Sequence, residues 1–372
     1  MEINYNIVST IHIFGFLQGL ILGLLLLHNS RKRNRSTLFL AFFVLTYSYC
    51  FVPIILEDMN ILSYYPKLNV LPRPGEWLLG ALFFIYIQRI SILATEKVRY
   101  WWLYPGLVIV FLQVIVFFLP VSVKLEISNA VWYPPILLLG HVFSAGILIQ
   151  GIRILRKHTK EVENQYSNVE SKNLLWVKRF LMFAVVLFIA HFMSFIFYDS
   201  IIFRIVYASL NVFILYWASI NGIIQQNIHP VVSKQEKDNG MQKNMIESQK
   251  EATLISFKEM QTLVDKVDTY VKNSEIYRDK HLTIASVAEA LKIHPKRISL
   301  SINKICQENF NSYINRFRIE KAEKMLMDRN LKNLSIEGIG TEVGFQSKST
   351  FYTAFRKITG TTPNRYKEKL AS

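Results

Sequence analysis

Two sets of side chains near the C-terminal end have the chemistry needed to contact nucleic acid. The first set shares one face of a predicted helix: Lys296, Arg297, Ser299, Leu300 and Asn303. The second set shares one face of a later helix: Lys348, Ser349, Tyr352, Thr353 and Arg356. Lysine and arginine neutralise phosphates, whereas polar side chains that enter the major groove hydrogen-bond to base edges. The two faces therefore predict a binding surface for double-stranded DNA.

Each face belongs to the second helix of a predicted helix–turn–helix. Residues 283–305 contain a helix, a break and a second helix that begins at Pro295, a residue suited to the first helical position. The pattern returns after Ser335, with Gly344 in the turn and Ser347 as the cap of the second helix. One long helix from Asn311 to Asp328 is predicted to join the two units.

These residues resemble the AraC/XylS-type DNA-binding domain over about residues 276–370. The resemblance is carried by Asn315-Arg316-Phe317-Arg318-Ile319-Glu320-Lys321-Ala322, Val343-Gly344-Phe345-Gln346-Ser347, Phe351, Phe355-Arg356-Lys357, Gly360 and Thr362-Pro363-Asn364-Arg365-Tyr366. It implies two helix–turn–helix units that read adjacent major-groove segments. Matching positions imply that Lys296, Ser299, Leu300, Lys348, Ser349, Tyr352 and Thr353 read bases.

Further contacts are expected around those positions. Arg297 and Asn303 are also expected to reach base edges. Phosphate contacts are expected from Lys304, Arg316, Arg318, Arg356, Lys357 and Arg365. The resemblance implies bacterial transcription control, more often activation than repression, which makes RNA polymerase a candidate partner.

The chain departs from the family pattern at three positions. His294 stands where the family usually has Ser or a similar helix cap. Gly340 stands in place of the usual Ala, and Leu300 occupies a position where a polar base-reading residue is common. These departures leave the predicted fold intact, and two of them, His294 and Leu300, lie in the first unit.

The rest of the chain has a different composition. The whole chain has 372 residues, of which 51% are hydrophobic, and its net charge is +16. Residues 276–372 alone hold 18 basic and 9 acidic residues, whereas the apolar residues concentrate before residue 225. One uniform globule is excluded, and two cysteines, Cys50 and Cys306, are too few for a disulfide scaffold.

Seven apolar stretches are long enough to cross a bilayer. They are 6–28, 37–56, 74–93, 101–120, 132–153, 179–198 and 202–224. Lysine and arginine concentrate in alternate loops, which predicts an N-terminus outside and a C-terminal part in the cytoplasm at the inner membrane. The predicted fold is all-α: a seven-helix membrane domain (1–224), a linker with an amphipathic helix (225–275) and a DNA-binding domain (276–372).

The connecting region has two features. Residues 231–250 have the composition of a solvated linker. An amphipathic helix follows, with Phe257, Met260, Val264, Val267 and Val271 at heptad spacing. Such a helix either packs onto its own domain or forms a homodimer through residues 257–271. The membrane bundle is the other candidate dimer contact.

Four polar residues lie within the predicted spans: Gln113, His141, His191 and Asn211. They form either helix–helix hydrogen bonds or a pocket for a ligand that arrives from outside or from the bilayer. Two histidines on separate helices do not make a metal site, and no cofactor or catalytic motif is found. The sequence predicts a membrane-embedded transcription regulator whose spans act as a sensor. The alternatives are a transmembrane enzyme or transporter fused to a regulator, and spans that serve only as a tether.

Overall fold

The computed structural model describes residues 4–32, 36–94, 98–170, 172–197, 199–225, 256–328 and 334–371. Over these residues the chain forms helices and turns, with one isolated antiparallel bridge between Tyr166 and Thr283, so the predicted all-α fold class is confirmed. The chain divides into two compact units. One comprises Met1–Arg156 and Leu174–Ile228, and the other comprises Lys157–Asn173 and His229–Ser372. The predicted linker 231–250 lies outside the described residues.

The first unit is built from apolar helices. They are α1 (Ile7–Lys32), α2 (Thr37–Asp58), α3 (Ile61–Tyr64), α4 (Gly80–Ile90), α5 (Tyr104–Phe117), α6 (Val121–Asn129), α7 (Tyr133–Gln165), α8 (Leu175–Ile196) and α9 (Ile201–Ile224). Helix α7 begins in this unit, and its last turns, from Lys157, belong to the second unit. At roughly 1.5 Å per residue, its 33 residues exceed the ~30 Å hydrocarbon core of a bilayer.

Six helical segments in the described residues are long and apolar enough to cross a membrane, rather than the seven predicted. The difference lies in the predicted span 74–93. Its helix begins after Pro74 with a π-turn, Gly75–Leu79, continues as α4 and ends before Ser91. Helix α4 is buried along almost its whole length, so it is surrounded by protein.

Small residues allow close packing of α1 against its neighbours. A Cβ atom added at Gly15 would lie 2.5 Å from Val212, and one added at Gly19 would lie 2.8 Å from the Cβ of Ser48. These glycines are four residues apart and therefore share one face of α1. Their lack of a side chain lets α2 and α9 approach the α1 backbone, as small residues do in membrane helices generally.

The second unit holds the predicted DNA-binding domain. Its helices are α10 (Phe257–Asn273), α11 (Ile284–Leu291), α12 (Pro295–Ser301), α13 (Phe310–Met327), α14 (Ile336–Glu342), α15 (Lys348–Thr359) and α16 (Pro363–Ala371). A π-turn, Ile302–Cys306, extends α12. The predicted pairs are therefore α11 with α12 and α14 with α15, joined by α13.

Helix α13 contributes to two hydrophobic cores. Its N-terminal half places Tyr313, Ile314 and Phe317 among side chains of α10, α11 and α12. Its C-terminal half places Ala322 and Leu326 among side chains of α14 and α15. One continuous helix thus joins both helix–turn–helix units.

The seam predicted on the amphipathic helix faces the core of its own unit. Val264, Val267 and Val271 are buried, whereas Phe257 is 71% exposed. The helix therefore packs onto its own unit through these three valines, and a homodimer through residues 257–271 stays a prediction. The sequence could not distinguish packing onto the same unit from a homodimer, because both arrangements need the same apolar spacing.

Candidate DNA-binding surface and membrane cavity

Side-chain caps begin α12 and α15, the two helices that are predicted to contact bases and are here called the recognition helices. At the start of α12, the Nδ1 atom of His294 accepts a hydrogen bond from the backbone N–H of Lys296 at 3.2 Å. Histidine therefore supplies the cap in place of the usual serine. At the start of α15, the Ser347 hydroxyl accepts from the backbone N–H of Thr350 at 3.3 Å. Both side chains thus satisfy otherwise unpaired N–H groups, and the predicted cap at Ser347 is present.

The turn before α15 requires glycine. Gly344 has a φ of +102°, and an added Cβ would lie 2.7 Å from the carbonyl oxygens of Tyr277 and Arg278. The departure at Gly340 also has a steric reason, because a Cβ there would lie 2.8 Å from the Phe351 ring. Close approach of Phe351 thus accompanies glycine at this position of α14.

The first recognition face is partly open to solvent. Lys296 and Arg297 are exposed, and Ser299 and Leu300 are partly buried. The Asn303 amide donates to the Ser299 carbonyl at 2.7 Å and to the Oδ1 atom of Asn164 at 3.3 Å. The two cations are thus exposed, while the amide already has partners.

The second recognition face is more extensively hydrogen-bonded. Lys348 forms an ion pair with Glu337, and this hydrogen bond raises the pKa of Lys348. The Tyr352 hydroxyl donates to Asn364 at 3.0 Å. Thr353 is exposed, and its hydroxyl donates to the Ser349 carbonyl at 2.8 Å. The Ser349 hydroxyl donates to the carboxylate of Glu170 at 3.3 Å.

The expected phosphate contacts divide into two groups. Four are exposed: Lys304, Arg356, Lys357 and Arg365. Arg316 is half-buried, with its guanidinium 5.0 Å from the Phe317 ring centre and its Nε atom 3.6 Å from a Glu308 carboxylate oxygen. The exposed group thus carries positive charge at the surface of the unit, where a phosphate contact is expected.

The expectation of a phosphate contact from Arg318 is wrong. The side chain is 0% exposed, and burial lowers its pKa to about 10. Its guanidinium donates to the carbonyls of Tyr277 at 2.7 Å and Asp279 at 3.0 Å. Position 318 lies four residues after Ile314 and four before Ala322, so the apolar spacing already indicated an inward direction.

A cavity of about 810 Å³ lies in the first unit, which holds the apolar helices α1–α9 and is here called the membrane unit. Among the predicted sensing residues, His141, His191 and Asn211 line it. The rings of His141 and His191 stack with centres 4.9 Å apart, and His191 Nδ1 lies 3.2 Å from the Tyr207 hydroxyl. The structure therefore brings together histidines that are 50 positions apart in the sequence.

Two other predicted sensing residues have helix-packing contacts. Asn211 accepts from the Tyr47 hydroxyl at 2.6 Å and donates to the Tyr207 carbonyl at 2.8 Å. Gln113 is not among the residues that line the cavity, and it accepts from the backbone N–H of Arg73 at 3.0 Å. Gln113 is therefore placed as a contact between α5 and the loop before α4 rather than as a cavity residue.

A charged cluster that was not predicted from the sequence lies at the cavity. Asp58 pairs with Arg204, and its second oxygen lies 3.7 Å from His12 Nδ1. Glu57 lies 3.7 Å from Arg73. Acidic residues at the end of α2 and an arginine early in α9 were the available sequence signal. Among the described residues, no set of three His, Cys, Asp or Glu side chains is placed to hold a metal ion.

The chain is similar to helix–turn–helix regulators from several bacteria. A family model described as a helix-turn-helix domain matches residues 287–369. An uncharacterised regulator of this type from Bacillus subtilis is 32% identical over 117 residues, 30% of this chain and 47% of that protein. The melibiose operon regulatory protein of Escherichia coli is 32% identical over 90 residues, 24% of this chain and 29% of that protein.

A third relative is covered more completely. An uncharacterised helix-turn-helix regulator from Pseudoalteromonas carrageenovora is 27% identical over 161 residues, 43% of this chain and 90% of that protein. The chain spans less than half the length of the Bacillus subtilis and Escherichia coli relatives it matches.

Proposed function

Because the C-terminal part of this chain is an AraC-type helix–turn–helix domain, we propose that the protein is a membrane-embedded, one-component transcription regulator. Its ligand on the output side is double-stranded DNA, bound sequence-specifically through α12 and α15. The observation that carries this proposal is the role of α13, which joins the two hydrophobic cores in one helix. Two recognition helices held by one element keep a constant spacing, as contacts with successive major-groove segments require.

The proposed division of labour on α15 follows from exposure and chemistry. Arg356 is exposed in the last turn of α15 and has the charge to contact a phosphate. Thr353 is exposed one turn earlier and offers a methyl group and a hydroxyl, both of which can discriminate between base edges. Arginine thus supplies affinity on any sequence, whereas threonine supplies preference.

The first test compares two substitutions in the full-length protein in lipid nanodiscs. Arg356→Ala is expected to weaken binding of selected and random duplexes alike, and to lower the salt slope by about one unit. Thr353→Ala is expected to weaken binding of the selected duplex relative to random duplexes, by a binding free energy of roughly 1–3 kcal/mol. The salt slope should stay unchanged. Fluorescence anisotropy at several salt concentrations measures both quantities. Unchanged affinity and preference in both variants would refute the placement of α15.

On the input side, the proposal assigns sensing to the cavity of the membrane unit. His141, His191 and the Asp58–Arg204 pair are among the polar groups that line it. Titratable side chains inside a membrane domain are costly and usually serve a function. An external or membrane ligand must bind two states of the bundle unequally if it is to shift DNA binding.

The second test replaces residues 1–156 and 174–224 by unrelated spans and retains 157–173. A sensor is expected to lose the response of its target promoters to the inducing condition, whereas a tether would preserve it. Promoters are first found by mapping the genomic sites that the full-length protein occupies. A swapped protein that still responds normally would contradict the sensing role while leaving DNA binding in place.

A further inference from the structure

The segment Lys157–Asn173 is grouped with the C-terminal unit although the sequence places it between two spans. Ser167, at its centre, is 1% exposed. The Ser167 backbone N–H donates to the Leu282 carbonyl at 3.1 Å, and its own carbonyl accepts from the Asn311 amide at 2.7 Å. These bonds join the segment to residues more than a hundred positions later.

Arg318 strengthens the same junction. Besides its bonds inside the domain, its guanidinium donates to the Ser167 hydroxyl at 3.1 Å and to the Ser167 carbonyl at 3.2 Å. A buried cation needs its donors paired, because unpaired charged groups are costly inside a protein. The segment thus supplies two of the acceptors that a wholly buried arginine requires.

On either side of this anchor, the segment contacts both recognition surfaces. Asn164 is the partner of Asn303 at the end of the first recognition element, and Glu170 is the partner of Ser349 at the start of the second. Only six positions separate Asn164 from Glu170 in the chain. Glu163 also accepts from Asn309, which caps α13, at 3.0 Å.

The chemistry of these contacts competes with DNA. A hydrogen that Asn303 or Ser349 gives to the segment is not given to a base edge or a phosphate oxygen at the same time. The Glu170 carboxylate also places negative charge at the start of α15, where a DNA phosphate would be repelled.

We infer that segment 157–173 is an internal partner that docks on the DNA-facing side of the C-terminal unit and excludes DNA from it. This inference rests on the proposed DNA binding. The segment ends are covalently continuous with Arg156 and Leu174 of the membrane unit, so the state of that unit reaches the segment through the chain. Binding of DNA requires release of Asn164 and Glu170. The Ser167 anchor, which holds the same segment, is released with them.

The test removes the two flanking contacts and leaves the anchor untouched. Asn164→Ala with Glu170→Ala in the full-length protein in nanodiscs is expected to tighten binding of a selected duplex about fivefold. Glu161→Ala is the matched control, since it removes the same charge from the same segment and no contact of Glu161 with a recognition helix is seen in the described part of the chain. A gain equal to that of Glu161→Ala, or no gain, would overturn the inference.

Hydrogen exchange provides an independent readout on the unmodified protein. Amides of residues 164–170 are expected to lose protection when duplex DNA is added, while amides of α13 keep theirs. Retained protection of 164–170 in the DNA complex would show that segment and DNA bind together, against the inference. If wild type and variants alike bind no duplex, the proposed function fails and the inference with it. If all bind equally well, only the inference fails.

Discussion

At the scale of single residues, the pairing of Tyr313 with Asp268 decides how α13 is held against α10. The Tyr313 side chain is 0% exposed, and its hydroxyl donates to the Asp268 carboxylate at 2.8 Å. Partial burial would raise the pKa of Asp268, but hydrogen bonds from Lys272 and Tyr313 outweigh it and hold that pKa below its ordinary value. Burial, together with the bond to Asp268, raises the pKa of Tyr313, so the phenol stays protonated as a donor.

This geometry predicts an asymmetry between two substitutions. Asp268→Ala leaves a buried hydroxyl without its acceptor and is expected to cost about 1–3 kcal/mol of unfolding free energy. Tyr313→Phe is expected to cost less, because the partly exposed carboxylate can turn to water. Hydrogen exchange of α13 amides measures both, and in the Tyr313→Phe background Asp268→Ala should lose most of its effect. Equal costs in both backgrounds would contradict the pairing.

The same pair has a pH dependence. Because the folded-state pKa of Asp268 is lowered, its stabilising contribution is present above the ordinary aspartate pKa and is lost as pH falls through the lowered value. Acid destabilisation of α13 in the wild type is therefore expected below about pH 4. Asp268→Asn should remove that part of the acid dependence.

At the scale of elements, two glycines with left-handed backbones end or connect helices of the second helix–turn–helix unit. Gly360, which ends α15, has a φ of +75°, and nothing lies within 4 Å of an added Cβ. Gly344 combines a φ of +102° with backbone carbonyls 2.7 Å from that position. A side chain at position 360 therefore introduces only backbone strain. A side chain at position 344 also clashes with backbone carbonyls, which cannot turn away as a side chain could.

We expect Gly360→Ala to destabilise the unit by about 1–2 kcal/mol and Gly344→Ala by at least about 3 kcal/mol. Gly360→Asn should cost less than Gly360→Ala, since asparagine tolerates this conformation better. Hydrogen exchange of α15 in the detergent-solubilised protein gives the three values. An equal loss for both alanine variants would mean that Tyr277 and Arg278 do not crowd the turn.

The helix–turn–helix units could be predicted because their signals are local. Ser335, Ser347 and Pro295 mark helix starts by residue type, and Phe351 and Phe355 mark an inner face by spacing. Docking of Ser167 could not be predicted in this way, because it depends on single hydrogen bonds between distant residues that have no periodic pattern. Arg318 shows the intermediate case, since spacing placed it inward while its charge suggested the surface.

The membrane unit shows why hydropathy alone predicted one more long span than the described residues form. The stretch 74–93 is apolar enough, but Pro74 and Ser91 limit its helix to a five-residue π-turn and the eleven residues of α4. Such a helix is roughly 24 Å long, short of the ~30 Å core. The cavity cluster of His12, Asp58 and Arg204 escaped for another reason: its members come from three helices, and only the fold brings them together.

At the scale of the whole molecule, the side of the membrane on which DNA can be met depends on α4. If the short helix crosses together with the six long spans, an N-terminus outside places α10–α16 in the cytoplasm. If it does not cross, every later segment changes side and the recognition helices face the exterior. Burial of α4 supports a crossing, because protein rather than lipid surrounds it and a short or irregular helix is tolerated there.

Two exposed positions that flank α4 decide between these topologies. Lys67 precedes α4 and Arg99 follows it, so a crossing places them on opposite sides. In a Cys50→Ser, Cys306→Ser background, we expect an impermeant maleimide on intact cells to label Lys67→Cys but not Arg99→Cys. Both positions should react after permeabilisation, which controls for accessibility. Labelling of Arg99→Cys from outside would place α10–α16 away from chromosomal DNA, and the proposed regulator could not act as described.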